Sequence, residues 1–240
     1  MIIKSDKDPI GKAVFDYHFH RLTGNNINVY SSIAEKDIIP VEHFFRKIRK
    51  MPVIEQKALE LCFGKVLDVG AGAGCHSLIL QQKFFNVTSL EISQLACNVM
   101  HDIALQRVVN TDFFEFDAEK YDTLLFLMNG IGIAGKIDNL TIFFNQCKKL
   151  LNKNGIVLLD SSDIIYMFKD DNDNMEIEWE GSYYGEVKYI MEYNETRSDE
   201  FDWLFIDFKL LEKLAGENGF KCELIMRDDH FGYLAKLTLL

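Results

Sequence analysis

The sequence has few of the residues on which small disulfide-linked or metal-bound domains depend. Its 240 residues contain 3 prolines and 5 cysteines, and no two cysteines form a Cys-x-x-Cys pair. An odd number of widely spaced cysteines argues against both a disulfide framework and a zinc site. We therefore predict a fold held by its hydrophobic core, with reduced cysteines inside it and no metal centre.

Long apolar segments are also missing. Residues 1–6 lack the apolar stretch of a signal peptide, and no uninterrupted apolar run approaches the roughly 20 residues that span a membrane. We therefore expect a cytoplasmic protein with no membrane contact. With 48% hydrophobic and 26% charged residues, the composition is that of a folded chain with a sizeable core.

Basic residues are the scarcer charged class. Lys and Arg number 26 against 37 Asp and Glu, which gives a net charge of −11 and argues against nucleic acid as a partner. One basic cluster, Arg46, Lys47, Arg49 and Lys50, is interpreted as the solvated face of a helix. The expected partner is a small-molecule substrate, and the expected oligomeric state is a monomer or homodimer.

Strand and helix patterns alternate in the middle of the chain. Short apolar runs predict strands at residues 65–69, 86–91, 107–111, 121–128 and 155–160, and helical spacing appears between most of them. This alternation is typical of right-handed crossovers in a parallel, doubly wound sheet. The sequence therefore predicts an α/β fold with a Rossmann-like core.

The strongest local feature is a glycine loop between a predicted strand and a predicted helix. Glycines let the backbone turn sharply and let a ligand approach its amides. Gly70, Gly72 and Gly74 do not match the dinucleotide pattern G-x-G-x-x-G, because the sixth position counted from Gly70 is Cys75. Asp68 stands two residues before the first glycine, where a carboxylate repels a pyrophosphate. The sequence thus favours a cationic ligand such as S-adenosylmethionine over NAD.

Two further acids follow predicted strands. Glu91 ends the second strand, where an acid can accept hydrogen bonds from both hydroxyls of a ribose, a group that NAD and S-adenosylmethionine share. Asp112 follows the third strand and precedes Phe113, so it could accept from an adenine amino group while an aromatic ring packs on the base. The alternatives are an exposed acid at a strand end for Glu91 and a loop acid for Asp112.

Together these residues resemble the class I S-adenosylmethionine-dependent methyltransferases. The resemblance rests on the loop from Asp68 to Gly74, on Glu91 and Asp112, and on Met128-Asn129-Gly130 after the fourth strand. It implies a seven-stranded sheet whose last strand is antiparallel. The whole chain also resembles a set of uncharacterised small bacterial methyltransferase-like proteins, which implies the fold but no substrate.

The resemblance implies S-adenosylmethionine as the cofactor and a role for each matching residue. It implies that Asp68 holds the amino group, Glu91 the ribose, and Asp112 and Phe113 the adenine, while Met128 and Asn129 border the sulfonium. The complete set of implied cofactor-binding residues is Asp68, Gly70, Ala71, Gly72, Gly74, Glu91, Ile92, Asp112, Phe113, Met128, Asn129 and Gly130.

The segments around this core have different patterns. Residues 31–64 show helical spacing, which predicts two short helices, and the pattern after residue 163 alternates apolar and polar side chains as antiparallel strands do. We expect one methyltransferase domain over residues 1–240. Its expected parts are an N-terminal helical cap (1–63), a cofactor-binding core (64–162), a β insertion (163–206) and a closing helix with strands (207–240).

The sequence departs from two methyltransferase subfamilies. Asn129-Gly130-Ile131-Gly132 is not the Asn/Asp-Pro-Pro-Tyr of enzymes that methylate amino nitrogens in bases and glutamine. No cysteine precedes a proline, as it does in cytosine C5 enzymes. Both substrate classes are therefore disfavoured.

The candidate catalytic residues are Asp163, Tyr166 and His76. Methyl transfer is an in-line displacement for which alignment and a dry site can suffice, so no universal catalytic residue is expected. Ligands bind beyond the carboxyl ends of the strands, which makes Asp160 to Asp163 with Tyr166 the first candidates for substrate contact or base. Asp163 could equally cap a helix, and His76 could equally be a polar residue at a helix start.

The sequence favours a methyltransferase that acts on a small molecule through oxygen or nitrogen. One alternative is a non-catalytic module that holds S-adenosylmethionine or S-adenosylhomocysteine, and another is an NAD-dependent oxidoreductase, which Asp68 disfavours. Six aromatic residues of the insertion are expected mostly as its core, a few of them lining a substrate pocket under an N-terminal lid. These residues are Trp179, Tyr183, Tyr184, Tyr189, Tyr193 and Trp203.

Overall fold

Helices and strands alternate along most of the chain. The computed structural model describes residues 2–117, 119–168 and 183–240. The helices of these residues are α1 (Pro9–His20), α2 (Val53–Leu61), α3 (Cys75–Gln82), α4 (Gln94–Asp102), α5 (Leu140–Leu150) and α6 (Phe208–Glu217). Their strands are β1 (Asn26–Ser31), β2 (Asp37–Pro40), β3 (Lys65–Val69), β4 (Asn86–Glu91), β5 (Val108–Asn110), β6 (Tyr121–Phe126), β7 (Leu151–Ser162), β8 (Glu186–Tyr193), β9 (Thr196–Arg197), β10 (Phe201–Leu204), β11 (Phe220–Arg227) and β12 (Gly232–Leu239).

Seven strands of the described residues form the main sheet, in the order β11-β12-β7-β6-β3-β4-β5. Strands β3 to β7 run parallel to one another, and β12 is antiparallel to both β7 and β11. This arrangement confirms the predicted Rossmann-like sheet with its last strand antiparallel. The five strands expected between residues 65 and 160 are all present.

The central strands β3 and β6 are apolar on both faces because the sheet is covered on both sides. Leu67 and Phe126 are fully buried in a cluster that includes Phe143 of α5. Val66 and Leu125, one residue along each strand, belong to a second cluster with α2. Successive side chains of a strand point to opposite faces, so these two clusters lie on opposite sides of the sheet. This burial fixes the strands whose ends carry the candidate site.

A second, antiparallel sheet joins the N-terminal region to the insertion. Its order is β10-β8-β1-β2, with β9 paired to β8, and Asn28 of β1 lies opposite Glu192 of β8. This pairing corrects the helical interpretation at Asp37–Pro40, which forms the edge strand β2, whereas Val53–Leu61 is helical as predicted. The inserted antiparallel strands are confirmed. Residues 169–182, which include Trp179, lie outside the described residues.

Helix α1 packs against α4 and attaches the N-terminal region to the core. Asp8 caps α1 by accepting a hydrogen bond from the Gly11 amide at 2.8 Å, and its other oxygen accepts from Ser93 Oγ at 2.5 Å. Ser93 in turn caps α4 through the Ala96 amide, at 3.0 Å. A Cβ at Gly11 would lie 2.1 Å from side-chain atoms of both Asp8 and Ser93, so this close approach requires glycine.

Every helix of the described residues is too short or too polar to cross a membrane. All five cysteines are free, as the sequence predicts, and Cys75 is the one that is only partly buried.

Candidate functional site

The candidate site residues follow the carboxyl ends of neighbouring strands. The glycine loop follows β3, Glu91 ends β4, and Met128 comes two residues after β6. These strands are adjacent and parallel, so their carboxyl ends meet at one edge of the sheet, where ligands of such sheets bind. The structure therefore brings the predicted cofactor residues together.

The three glycines of the loop share a backbone conformation that favours glycine, and they differ in what an added side chain would meet. All three have positive φ, +71° at Gly70, +57° at Gly72 and +84° at Gly74. A Cβ at Gly74 would lie 2.7 Å from Leu105, so this glycine allows close packing. A Cβ at Gly72 would lie 3.5 Å from the ring of Phe44, whereas one at Gly70 would meet no atom within 4 Å. The loop is therefore open to a ligand at its first glycine.

Glu91 is fixed by the backbone on both sides of it. One carboxylate oxygen accepts a hydrogen bond from the Gly72 amide at 2.8 Å, and the other accepts from the Ser93 amide at 2.9 Å. Burial raises the pKa of Glu91, while these two amides oppose the rise. The side chain thus ties the glycine loop to the start of α4, and the adjacent Ile92 keeps an exposed apolar side chain.

Asp68 is buried and hydrogen-bonded inside the core. It is 2% exposed, and one of its oxygens accepts from Ser77 Oγ at 2.6 Å, while Ser89 Oγ donates to Ser77 Oγ at 2.7 Å. Burial raises the pKa of Asp68, and the charge of His76 opposes the rise. Asp68 is therefore held by the Ser77 hydroxyl, two residues before the glycine loop begins. Its contact with an amino group stays a prediction.

Asp112 and Phe113 have different surroundings. Asp112 accepts a hydrogen bond from the Phe114 amide at 2.8 Å, which shapes the turn after β5. Phe113 is 4% exposed and packs on the rings of Phe126 and Phe143, with centroids 5.1 and 5.8 Å away. This burial leaves little of the Phe113 ring for contact with an adenine, so the predicted stacking is not favoured.

The turn after β6 has a strained backbone that Asp160 holds in place. Met128 and Asn129 have φ of +65° and +57°, values that non-glycine residues rarely adopt. The carboxylate of Asp160 accepts hydrogen bonds from the amides of Met128 and Gly130, both at 3.1 Å. Burial raises the pKa of Asp160 to about 7. Strain of this kind collects at functional sites, which supports a role for this turn.

The Asn129 side chain connects the same turn to the second sheet. Its amide nitrogen donates to the Leu204 carbonyl of β10 at 3.1 Å, and its oxygen accepts from Ser161 Oγ at 2.9 Å. Ser161 Oγ also accepts from the Ile206 amide at 3.0 Å. The insertion is therefore hydrogen-bonded to the residues that the resemblance places at the sulfonium.

His76 belongs to a buried charged network that links α2 to α3. Its Nε2 lies 2.7 Å from Glu55, and Arg46 donates to both Glu55 oxygens at 2.8 and 3.0 Å. Burial opposes ionisation of Glu55, but the hydrogen bonds and charges of His76 and Arg46 outweigh it and hold the pKa of this carboxyl below its ordinary value. The charge of His76 also favours the ionised forms of Asp68 and Asp160.

Asp163 and Tyr166 lie in the segment that follows β7. Asp163 accepts from the Ile165 amide at 3.0 Å and from the Tyr184 hydroxyl at 2.7 Å, so the capping role considered for it is present. Tyr166 is 45% exposed, and its ring stacks on Phe231 with centroids 4.5 Å apart. The structure thus places His76 and Asp163 in separate hydrogen-bond networks.

The pairing of Arg46 with Glu55 is not predictable from the sequence. Arg46 is not part of a solvated basic face as predicted, because its side chain is 8% exposed in the ion pair with Glu55. Nothing in the cluster distinguishes Arg46 from its neighbour Lys47, because the partner lies nine residues further along the chain. The position of α2 against the core brings Glu55 to Arg46, and this tertiary contact distinguishes Arg46 from Lys47.

Among solved structures, the chain is similar to an S-adenosylmethionine-dependent methyltransferase from Bacteroides fragilis, crystallised in complex with S-adenosyl-L-homocysteine. The two sequences are 40% identical, the match covers 100% of this chain and 98% of that chain, and the TM-score is 0.93. The likeness therefore includes the N-terminal region and the insertion as well as the core.

More distant structures share the fold. One of them is CalS10 from Micromonospora echinaspora, an amino pentose methyltransferase with S-adenosylmethionine bound. Its sequence is 15% identical to this one, the match covers 86% of this chain and 100% of that chain, and the TM-score is 0.54. An S-adenosylmethionine-dependent methyltransferase from Clostridium acetobutylicum is 15% identical over 78% of this chain and 89% of that one, with a TM-score of 0.54. No protein-family model matches the sequence, and no curated protein matches it.

Proposed function

Because the chain belongs to the S-adenosylmethionine-dependent methyltransferases, we propose that it transfers a methyl group to an oxygen or nitrogen atom of a small molecule. The observation that carries the proposal is the sign of the charge at the site. Asp68, Glu91 and Asp160 stand at or next to the carboxyl ends of β3, β4 and β7, the edge at which a ligand binds.

These carboxylates fit the cofactor by charge. S-adenosylmethionine carries an ammonium and a sulfonium and no phosphate, so nearby negative charge favours it and disfavours a dinucleotide. The open space at Gly70 gives such a ligand access to the loop. The charge of the site and the open space at Gly70 both support this cofactor.

We propose that Glu91 accepts hydrogen bonds from the ribose hydroxyls. The Gly72 and Ser93 amides already orient its carboxylate, and each carboxylate oxygen has a second lone pair for a ligand. Ile92 and Asp112 are proposed to contact the adenine, and Asp68 to attract the ammonium. The amides that hold Glu91 also keep it from rotating away, which pre-organises the site.

The N-terminal region and the insertion are proposed to form one cap over the core, within a single domain of residues 1–240. The ring of Phe44 lies 3.5 Å from where a Cβ of Gly72 would be, which supports a cap that covers the glycine loop. Asn129 ties the other side of the cap to the turn after β6. A cap in this position excludes water from the reacting atoms, which favours displacement at a sulfonium.

When bound, the cofactor would supply an electrophilic methyl group and keep the electron pair of the broken bond on its sulfur, and the acceptor would give up one proton overall. The residues of this chain orient the reactants. Asp160 holds Met128 and Asn129 in their strained turn, so this turn keeps its shape at the proposed sulfonium site. Asp163 and Tyr166 are proposed to face the acceptor, and His76 to act within the buried network.

Calorimetric titration with S-adenosylmethionine, S-adenosylhomocysteine and NAD tests the proposal. We expect the two adenosyl ligands to bind and NAD not to bind. The double variant Asp68→Asn, Glu91→Gln should lose at least about tenfold in affinity, since each position loses a charge-assisted contact. Glu195→Gln with Asp229→Asn removes the same charge at exposed positions and should bind as the unmodified protein does. Binding of NAD alone would show that the charge at the site is misinterpreted.

A further inference from the structure

A cavity of about 250 Å³ lies between the second sheet and the segment that follows β7. Val29 of β1, Tyr189 of β8, Ile164 and Phe205 contribute apolar and aromatic surface to its wall. It is smaller than the roughly 300–1,000 Å³ typical of sites for drug-sized ligands. The cavity therefore suits a small ligand with an apolar body.

Two tyrosine hydroxyls in this cavity have no hydrogen-bond partner among the residues that the structure describes. Tyr166 and Tyr189 both line it, and neither hydroxyl forms a hydrogen bond with any described residue. A phenol both donates and accepts a hydrogen bond, so each hydroxyl can hold a polar group of a ligand. The wall of the cavity therefore offers hydrogen-bonding groups to a ligand as well as apolar surface.

The charged residues that line the cavity are all acidic, among those that the structure describes. Glu35 and Asp37 line it, and neither forms an ion pair with any described residue. Lys36, which stands between them in the sequence, places its ammonium 5.8 Å from the ring centroid of Tyr30 instead. No described residue that lines the cavity is a Lys, Arg or His. Negative charge beside electron-rich rings favours a cationic ligand over a neutral or anionic one.

Hydrogen bonds connect the wall of the cavity to the turn after β6. Phe205 lines the cavity, and the next residue, Ile206, donates its amide to Ser161 Oγ. Ser161 donates to Asn129, which the proposed function places at the sulfonium. Tyr166, a candidate catalytic residue from the sequence, reaches the cavity from the segment after β7.

We propose that this cavity holds the methyl acceptor and that the acceptor is a small amine with an aromatic or other apolar body. This inference rests on the proposed function and narrows its acceptor from oxygen or nitrogen to nitrogen. Glu35 and Asp37 attract the ammonium form, and the tyrosine hydroxyls and rings receive it. Before transfer the ammonium gives one proton to water, and the nitrogen lone pair then forms the bond to the methyl carbon as the carbon–sulfur bond breaks.

The test measures ligand binding to protein saturated with S-adenosylhomocysteine. Calorimetry with 2-phenylethylamine, 2-phenylethanol and phenylacetate compares a cation, a neutral molecule and an anion of similar size. We expect the amine to bind at least about tenfold more tightly than the other two, and added salt to weaken it. Glu35→Gln with Asp37→Asn should weaken amine binding about fivefold, because exposed charges contribute modestly. Tyr189→Phe should weaken it while the affinity for S-adenosylhomocysteine stays the same.

The matched control is Glu195→Gln with Asp229→Asn, which removes two exposed charges away from the cavity and should leave amine binding unchanged. Equal binding of the alcohol, tighter binding of phenylacetate, absence of amine binding, or an equal loss in the control variant would each overturn the inference. The titration with S-adenosylhomocysteine separates the two proposals. If this ligand binds and the amine does not, only the acceptor class is wrong; if it does not bind, the proposed function itself fails.

Discussion

The carboxylate of Asp160 accepts a hydrogen bond from the backbone amide of Gly130 at 3.1 Å. Its second oxygen accepts from the Met128 amide, so one side chain near the end of β7 holds the left-handed turn that follows β6. Burial raises the pKa of Asp160 to about 7, whereas its ordinary value is 3.8. A carboxyl that titrates near neutral pH therefore supports the turn at the proposed sulfonium site.

This pKa predicts that S-adenosylmethionine binding releases protons near pH 7. A sulfonium close to the turn favours the ionised form of Asp160 and lowers its pKa, so the fraction still protonated at pH 7 loses its proton. Because the free carboxyl is about half protonated at that pH, the release is up to about half a proton. Calorimetry in two buffers of different ionisation enthalpy measures the number directly.

S-adenosylhomocysteine provides the matched control for this release. It has the same ammonium and ribose as S-adenosylmethionine but a neutral sulfur, so proton changes at Asp68 and Glu91 cancel in the comparison. We expect a larger release with S-adenosylmethionine, and no difference between the ligands in Asp160→Asn. Equal release in the unmodified protein would mean that Asp160 does not sense the sulfonium.

Gly70→Ala is expected to impair cofactor binding more than it impairs folding. The residue has φ of +71°, so alanine costs about 1–2 kcal/mol of backbone strain, yet its Cβ meets no protein atom within 4 Å. The methyl group would instead occupy the space through which a ligand reaches the loop. We predict at least about a tenfold loss of S-adenosylmethionine affinity by calorimetry, with a modest loss of stability in urea denaturation.

Gly24→Ala is the control for that substitution. Gly24 has φ of +75° and equally open surroundings, but it lies between α1 and β1, outside the glycine loop. The same backbone strain should make Gly24→Ala about as much less stable as Gly70→Ala, without changing the affinity for the cofactor. A comparable loss of affinity in both variants would point to a general effect of destabilisation.

Asp163 can be assigned to capping or to chemistry by comparing two substitutions. Asparagine keeps an oxygen that accepts from the Ile165 amide and the Tyr184 hydroxyl, whereas alanine keeps none. We predict that Asp163→Ala loses about 1–2 kcal/mol of unfolding free energy and that Asp163→Asn loses less than about 0.5 kcal/mol. If asparagine costs as much as alanine, the charge itself stabilises this segment and capping is the wrong explanation.

The sequence predicts the features that depend on local order along the chain. Strand β6 is fully apolar over Leu124 to Phe126 because both faces of the sheet are covered, and such a run is recognisable without a structure. The glycine loop and Glu91 follow their strands at once, so their shared edge of the sheet follows from the alternation. These features account for the main sheet and for the predicted cofactor residues.

The features that the sequence does not predict depend on distant partners. Strand β1 pairs with β8, so that Asn28 meets Glu192, and β2 is a strand because it adds to this sheet edge. The turn at Met128 is held by Asp160, which lies 32 residues away. In each case the residue types allow several partners, and only tertiary packing selects one.

Glu55→Gln is expected to be strongly destabilising because it breaks a buried ion pair. The side chains of Arg46 and Glu55 are 8% and 5% exposed, and the substitution leaves the guanidinium without its counter-charge. Removal of one partner of a buried pair costs about 3–5 kcal/mol, which urea denaturation at pH 7 can measure. On the same helix, Glu60 pairs with Lys57 while 62% exposed, so Glu60→Gln should change stability by less than about 0.5 kcal/mol.

The pH dependence distinguishes loss of this charge from loss of packing. In the folded protein the pKa of Glu55 is held below its ordinary value of 4.5. The ionised carboxylate therefore stabilises the fold fully above pH 4.5. This stabilisation is lost as the pH falls through the lower pKa of the folded state. The difference in unfolding free energy between the unmodified protein and Glu55→Gln should therefore shrink as the pH falls below about 4.5. A difference that stays constant over this range would mean that glutamine disturbs the packing of α2 and α3, and that the charge of Glu55 contributes little.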